Sequence, residues 1–468
     1  MNTKKINIFV DTLAYEGKGV ARAEGKVVFV RNGVPGDLLE VEIIKNKKNF
    51  AEGKILKILE PSPYRIDPIC EHFGECGGCS FQNISYEQQL EWKHKFVADA
   101  FERIAKIPKV EIKKVIPASK IFGYRNKMEF SFGTSRWITE KEVQSGKDID
   151  EGEKHFALGF HIPERFDKVL DINRCFLQDE KGNLIINAIR EKAKEFRIPA
   201  YNLKTHFGFL RNVVLRFSAL NGEITLNLVT TSKIGENEKN FLSWFETFFS
   251  KLEFITNLVH TTNDSLSPTV TGNYRIIKGT GYLFEELKGV RFRISPFSFF
   301  QVNTKQAESL VEKVIEYATP KDKMIWDLYS GAGTFSLPLA RSAKKVIGFE
   351  SVESAVEDAK FNAKLNNIEN VSFFVKDLHT KKIFQELIEF EKPDIIIIDP
   401  PRTGIHKNLL LTISKILPEK IVYVSCNPTT MARDCYELSK YYKVVEIQPV
   451  DMFPQTYHIE TIGLLIKQ

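Results

Sequence analysis

From Thr304 onward the chain alternates helix and strand patterns, and this alternation limits the fold more than any other feature. The predicted elements are helix 305–318, strand 324–328, helix 335–341, strand 345–350, helix 352–366, and strands 371–375 and 394–398. Repeated β–α units imply an α/β fold, a doubly wound parallel sheet that binds ligands at the carboxyl ends of its strands. A further strand, Ile421-Val422-Tyr423-Val424-Ser425, is continuously apolar or aromatic up to its last residue, as a buried strand should be. Cys426 follows it. Asn427-Pro428 breaks the strand, and Thr429 is expected to cap a helix. Cys426 would then lie beside a helix N-terminus, which lowers a thiol's pKa and favours the reactive thiolate. Two last strands are predicted near 444–447 and 459–466. Asp399-Pro400-Pro401-Arg402 and His458-Ile459-Glu460 fall at the same edge of this predicted sheet, so Cys426 reads as a nucleophile and not as a core thiol.

The first half is built differently. Residues 6–10, 19–22, 27–31, 38–44 and 53–59 are short strand patterns separated by glycine turns. Five such strands suggest a small OB-like barrel over residues 1–60, a fold much used on nucleic acids. Lys45-Asn46-Lys47-Lys48-Asn49-Phe50 is its expected basic tip, and Pro61-Ser62-Pro63 its linker. Cys70, Cys76 and Cys79 follow within ten residues, with glycines that allow tight wrapping, and Cys175 is the one spare cysteine outside the catalytic half. Four thiolates suit either zinc or an iron–sulfur cluster. His72 is expected to be a solvated bystander. Helical spacing over 86–107 predicts a helix packed beside that centre. Polar residues 139–155 are expected to form a mobile loop. Strand alternation over 207–229 and 257–284 predicts an antiparallel sheet with helices, so a central domain would span 61–293 and the catalytic domain 294–468.

With 468 residues the chain exceeds one core, and its net charge of +6 leans mildly towards polyanions. No apolar run of about 18 residues occurs, and the first residues lead straight into a strand pattern. A cytoplasmic location with no membrane partner is therefore expected.

Asp327-Leu328-Tyr329-Ser330-Gly331-Ala332-Gly333-Thr334-Phe335 closes the first strand of the repeat, and its glycines let backbone approach a ligand. Glu350, ending the second strand, is placed to bind ribose hydroxyls. Asp377, after the third, is placed to accept from an adenine amino group. A nucleoside site without a pyrophosphate cradle fits S-adenosylmethionine better than a dinucleotide. The substrate follows from Cys426. A pyrimidine is nearly inert at carbon 5 until a thiolate adds at carbon 6, and a separate base must later remove the carbon 5 proton. Glu460 is the nearest carboxylate in place for that task.

Asp327 to Phe335, Asp399-Pro400-Pro401-Arg402-Thr403-Gly404, Val424-Ser425-Cys426-Asn427-Pro428 and Asp451-Met452-Phe453-Pro454 with His458-Ile459-Glu460-Thr461 resemble the RNA uracil-5-methyltransferases. Within that family the chain is most similar to the 23S rRNA enzymes, along essentially its whole length. The resemblance implies a TRAM domain at 1–60, a Rossmann-like catalytic domain and a [4Fe-4S] cluster on Cys70, Cys76, Cys79 and Cys175. Ser295 to Asn303 is similar to the family's entry to the catalytic domain, which implies that Gln301 contacts the cofactor, joined by Tyr329, Glu350 and Asp399. By the same match Cys426 is the nucleophile and Glu460 the proton acceptor. A monomer acting on 23S rRNA is expected. A tRNA substrate is the near alternative, and a non-catalytic iron–sulfur RNA-binding factor is the competitor from another class.

Overall fold

The computed structural model describes residues 4–107, 110–146 and 148–468. Strands Lys5–Leu13, Gly19–Ala23, Lys26–Val30, Leu38–Asn46 and Phe50–Glu60 close into a barrel, the first pairing with both the second and the fourth. Period-two alternation turns Ile8, Val10, Val28, Val30, Leu39 and Val41 inward. The Pro61–Pro63 segment is no free linker. The Ser62 amide donates to Asp37 Oδ1 at 2.9 Å, and the Arg65 guanidinium forks onto the same carboxylate. At the basic tip Lys45 is engaged with Glu52 at 2.7 Å, so its charge is partly offset.

The central sheet runs Asn273–Lys278, Ile255–Thr262, Ile224–Thr230, Leu210–Phe217, Lys127–Gly133, Ala157–Ile162, Arg165–Asp171. It is mixed and not wholly antiparallel. Ile224–Thr230 and Ile255–Thr262 are parallel neighbours, because helix Glu236–Ser250 carries the chain back across the sheet between them. Residues 139–155 contain two short helices, Glu140–Ser145 and Glu151–Lys154, where a mobile loop was expected. Thr139 and Glu142 form a reciprocal cap on the first, and the Asp150 side chain caps the second. Lys147 lies outside the described residues.

The catalytic sheet has the order Val371–Val375, Lys345–Glu350, Met324–Leu328, Ile395–Ile398, Lys420–Ser425, Glu460–Lys467, Tyr442–Val450, Glu111–Ile112. The first five strands are parallel, as expected. Glu460–Lys467 is antiparallel to both neighbours, which makes the sheet mixed at the edge that carries the site. Two pieces of the first half belong to this core. Helix Tyr86–Ala100 and the π-turn Phe101–Ala105 bury Val97, Ala100 and Phe101 against the catalytic sheet, whereas the helix was expected beside the cysteines. Hairpin Leu283–Leu287 and Val290–Ile294 packs into the opposite face, and the expected boundary at residue 293 falls inside it.

Lys93, on helix Tyr86–Ala100, is fully buried, and its ammonium lies 2.5 Å from Asp451 Oδ1. It also donates to the Phe453 carbonyl at 3.0 Å, while the Tyr86 hydroxyl donates to Asp451 Oδ2 at 2.8 Å. Burial pulls the lysine's pKa down, and Asp451 opposes that shift. Removing one member of a buried pair strands the other charge, whereas removing both need not destabilise. Lys93→Met is therefore expected to cost about 3–5 kcal/mol. Most of that loss should return in the double variant with Asp451→Leu, as read from thermal midpoints of the full chain.

Candidate active site

Parallel strands Met324–Leu328, Ile395–Ile398 and Lys420–Ser425 end side by side. The strand order reverses between the first two, where a crevice opens beyond the strand ends. Asp399 follows Ile398 and is half-buried. Ser425 pairs with Thr461 in antiparallel register, so the next residue on each strand, Cys426 and Glu460, meet at the sheet edge. A cavity of about 1420 Å³ is lined by Gln301, Asp399, Arg402, Cys426, His458 and Glu460. The Asp399–Arg402 loop is fixed from behind. Asp434, buried in helix Pro428–Leu438, accepts from the Tyr423 hydroxyl at 2.7 Å and the Ile405 amide at 2.8 Å. Gly404 has φ +81°, and a Cβ there would lie 2.6 Å from Asp434 Oδ2, so only glycine lets the loop pass.

The electrostatics differ from the expectation. The Cys426 thiol is pushed up to about 11 by burial, then by Glu460 and Asp399, with Arg402 opposing. The helix N-terminus does not win, because Pro428 at its first turn has no N–H and the Thr429 amide is taken by the Asn427 side chain at 3.1 Å. The cap is thus Asn427, not Thr429. Burial raises Asp399 to about 7, helped by Asp327. It pushes Glu460 well above the carboxylate range, helped by Asp399 and opposed by Arg402. Burial thus favours the protonated form of three acidic groups around one cation. Such clustering of perturbed groups in a cleft is characteristic of active sites.

Of the expected cofactor residues, Tyr329, Glu350 and Asp377 lie at or just past strand ends, whereas only Gln301 and Asp399 line the cavity. Tyr329 has φ +68°, and its hydroxyl stands 3.3 Å from His379 Nε2. Glu350 accepts from Ser351 and Val352 amides through Oε1, and from the Gly331 amide at 3.1 Å through Oε2. It therefore shapes the glycine turn as well as facing the crevice. Gly331 has φ +52° with nothing within 4 Å of an added Cβ, so the turn leaves open space. Asp377 is exposed and accepts from the His379 amide at 2.9 Å. Asp327 Oδ1 and Ser330 Oγ are buried without partners, which leaves unmet hydrogen-bonding capacity beneath the turn.

Cys70, Cys76, Cys79 and Cys175 line the same cavity, and none is in a disulfide. Burial pushes Cys76 and Cys79 up to about 12, and the other cysteines of the set add to it. Among the described residues no three or more His, Cys, Asp or Glu side chains are arranged to hold a metal ion. His72 is not solvated as expected. Its Nε2 is buried without a hydrogen-bond partner.

Residues 190–468 match the family model tRNA (Uracil-5-)-methyltransferase, and residues 1–56 match the TRAM domain. The chain belongs to the tRNA (uracil-5-)-methyltransferase family. Members of this family are S-adenosylmethionine-dependent RNA methyltransferases, and the barrel of this one is its TRAM domain. An uncharacterized RNA methyltransferase of Bacteroides thetaiotaomicron is 40% identical over 462 residues, 97% of this chain and 99% of the relative. One from Chlorobaculum tepidum is 41% identical over 444 residues, 92% and 89% of the two chains. Among solved structures, the Pyrococcus abyssi tRNA (uracil-54, C5)-methyltransferase in complex with S-adenosyl-L-homocysteine is 30% identical. It superposes with a TM-score of 0.74 over 98% of this chain and 100% of its own. Among the described residues of this family member no helix is long and apolar enough to cross a membrane.

A carboxyl whose pKa is raised on folding favours the fold below about pH 4, and that contribution is lost as pH rises through its folded value near 7. Asp399→Asn removes this dependence. The variant should unfold at a higher temperature than the parent at about pH 8, with the gain shrinking towards pH 4. It should also be inactive. Thermal midpoints of both proteins across that range check the sign, and an equal midpoint shift at every pH would contradict it.

Proposed function

We propose that this protein methylates carbon 5 of a uridine in structured RNA through a covalent Cys426 adduct, with Glu460 as the base. The observation that carries the reading is the antiparallel register that sets Cys426 and Glu460 opposite each other in a cavity with Asp399 and Arg402. Cys426, as thiolate, adds to uracil carbon 6, and the resulting enolate makes carbon 5 nucleophilic. When bound, S-adenosylmethionine would supply a positive charge that favours the ionised forms of these groups and an electrophilic methyl whose bond to sulfur breaks as carbon 5 takes it, releasing S-adenosylhomocysteine. Glu460 then takes the carbon 5 proton, the 5,6 double bond re-forms and the sulfur leaves as thiolate.

Gln301, Tyr329, Glu350, Asp377 and Asp399 hold the cofactor in this reading. Support comes from the open glycine turn and the unpaired Asp327 and Ser330 oxygens beneath it. Cys70, Cys76, Cys79 and Cys175 are the ligands of a [4Fe-4S] cluster. The donor set is the support, with four free thiols on one cavity. Its task is structural, because none of the steps above transfers an electron.

The substrate is 23S rRNA, the reading that the motif resemblance favours. A tRNA substrate is the second reading, because a tRNA enzyme matches this chain over its entire length, barrel included. Mapping 5-methyluridine in the rRNA and tRNA fractions of a deletion strain separates the two.

Glu460→Gln should permit addition and methyl transfer yet block elimination, so a protein–RNA band that survives denaturation accumulates. Cys426→Ala, alone or combined with it, should give none, and 5-fluorouridine RNA should trap the parent protein. Normal turnover by Glu460→Gln, or an adduct formed by Cys426→Ala, would remove the assigned roles. Protein purified without oxygen should be brown and contain iron, and Cys79→Ser should lose both. Stoichiometric zinc in such protein would sink the cluster.

A further inference from the structure

The barrel reaches the segment that leads to Glu460. Its first turn closes with the Gly17 amide on the Ala14 carbonyl at 2.8 Å and the Ala14 amide on the Lys18 carbonyl at 2.9 Å. Gly17 has φ +82°, and an added Cβ would lie 2.9 Å from the Phe81 ring, so the turn is packed directly on the segment after Cys79. Tyr15, at the tip, projects into the joint between three parts of the chain. Its ring meets Phe96 of helix Tyr86–Ala100 edge-on at 5.8 Å, and Tyr457 edge-on at 5.7 Å. Leu13, Val34, Phe81 and Ile84 complete this apolar cluster.

Tyr457 is three residues before Glu460. Its ring lies 4.1 Å from the His458 ring, and His458 and Glu460 both line the cavity. The segment is tied within itself by the Thr456 amide and hydroxyl on the Phe453 carbonyl and by the His458 amide on Thr456 Oγ1, and it is tied to the amino-terminal half as well. Gln455 sits at φ +70°, outside the preferred region for a side-chain-bearing residue, and is held there from outside. Its carbonyl accepts from the Ser80 and Phe81 amides at 2.9 and 3.0 Å, and Gln89 bonds both its amide and its side chain. The Tyr457 amide donates to Ser80 Oγ at 2.9 Å. On its ring side Tyr457 rests on Tyr15.

We infer that Tyr15 is a positioning residue of the active site, whose ring holds Tyr457 and through it the His458–Glu460 segment in the geometry that proton removal needs. The inference rests on the base role proposed above for Glu460. It makes the TRAM barrel a support behind the cavity-lining segment, besides any part it has in gripping RNA. Cys426 and Glu460 are close enough to the Tyr15 hydroxyl to affect its charge. The hydroxyl's pKa is raised by burial first, then by Tyr457, Cys426 and Glu460, with Arg402 opposing.

Displacement of a catalytic group by a fraction of an ångström slows chemistry without weakening substrate binding. The full-length protein is assayed with bulk RNA from a strain lacking the gene, by labelled methyl transfer and by the fraction of protein in denaturation-resistant adduct. Tyr15→Ala should lower kcat about tenfold or more while KM for RNA stays within about twofold. The adduct fraction should rise, because proton removal slows more than methyl transfer. Tyr15→Phe keeps the ring and should stay within about twofold of the parent. Should Tyr15→Ala fail to fold, Tyr15→Leu, which fills most of the volume without an aromatic edge, is read the same way. A rise in KM with unchanged kcat would overturn the inference, leaving the barrel a binding module. A Tyr15→Phe loss as large as that of Tyr15→Ala would overturn it too, by giving the role to the hydroxyl. Glu460→Gln is run in parallel. If it turns over normally, the base assignment itself falls. If it accumulates adduct while Tyr15→Ala keeps its kcat, only the positioning role falls.

Discussion

A lysine and an aspartate removed from water tie the two halves of this chain together. Lys93 comes from the first hundred residues, and Asp451 opens the loop that leads to Glu460. A buried pair is weak evidence for net stability, but it is strict about geometry, since either charge alone would be stranded. Around it Tyr86, Gln89 and Tyr124 bond Asp451, Gln455 and the Pro454 carbonyl. The loop before the proposed base is therefore shaped by the amino-terminal half and not by the sheet it belongs to.

The resting site is built to hold protons. Burial raises Cys426, Asp399 and Glu460 together, and Arg402 is the cation that opposes the shift at Cys426 and Glu460. A cysteine kept as thiol is protected from oxidation and alkylation, which act on the thiolate. Such a site lowers the stability of the fold at neutral pH, a common trade between stability and activity. Incoming positive charge would shift all three groups towards reactivity at once.

The cysteine segment stands between barrel and catalytic loop. Cys79 is followed at once by Ser80 and Phe81, whose amides hold Gln455 and whose phenylalanine ring receives the Gly17 turn. Glu75, within the same segment, bonds the Trp137 indole and the Glu140 amide, which draws the 139–155 helices into the assembly. Whatever fixes the four thiols also fixes the floor on which the loop rests.

Much of this was legible from the residues alone. Period-two alternation delimited the barrel, and the β–α repeat delimited the parallel strands, because both patterns are local consequences of which side chains face a core. Cys426, Asp399 and Glu460 could be named because strand ends are where such sheets place their chemistry. Other features depend on contacts between residues far apart in sequence. The antiparallel insertion of Glu460–Lys467 reads like any apolar strand until its neighbours are known. The capture of strand Glu111–Ile112 by the catalytic sheet, and of Tyr15 by Tyr457, join positions more than 300 residues apart. The raised Cys426 thiol had the same origin. Local sequence pointed to a helix N-terminus, but burial and two distant carboxylates outweighed it, since charge is governed by what surrounds a group in space and not by what adjoins it in the chain.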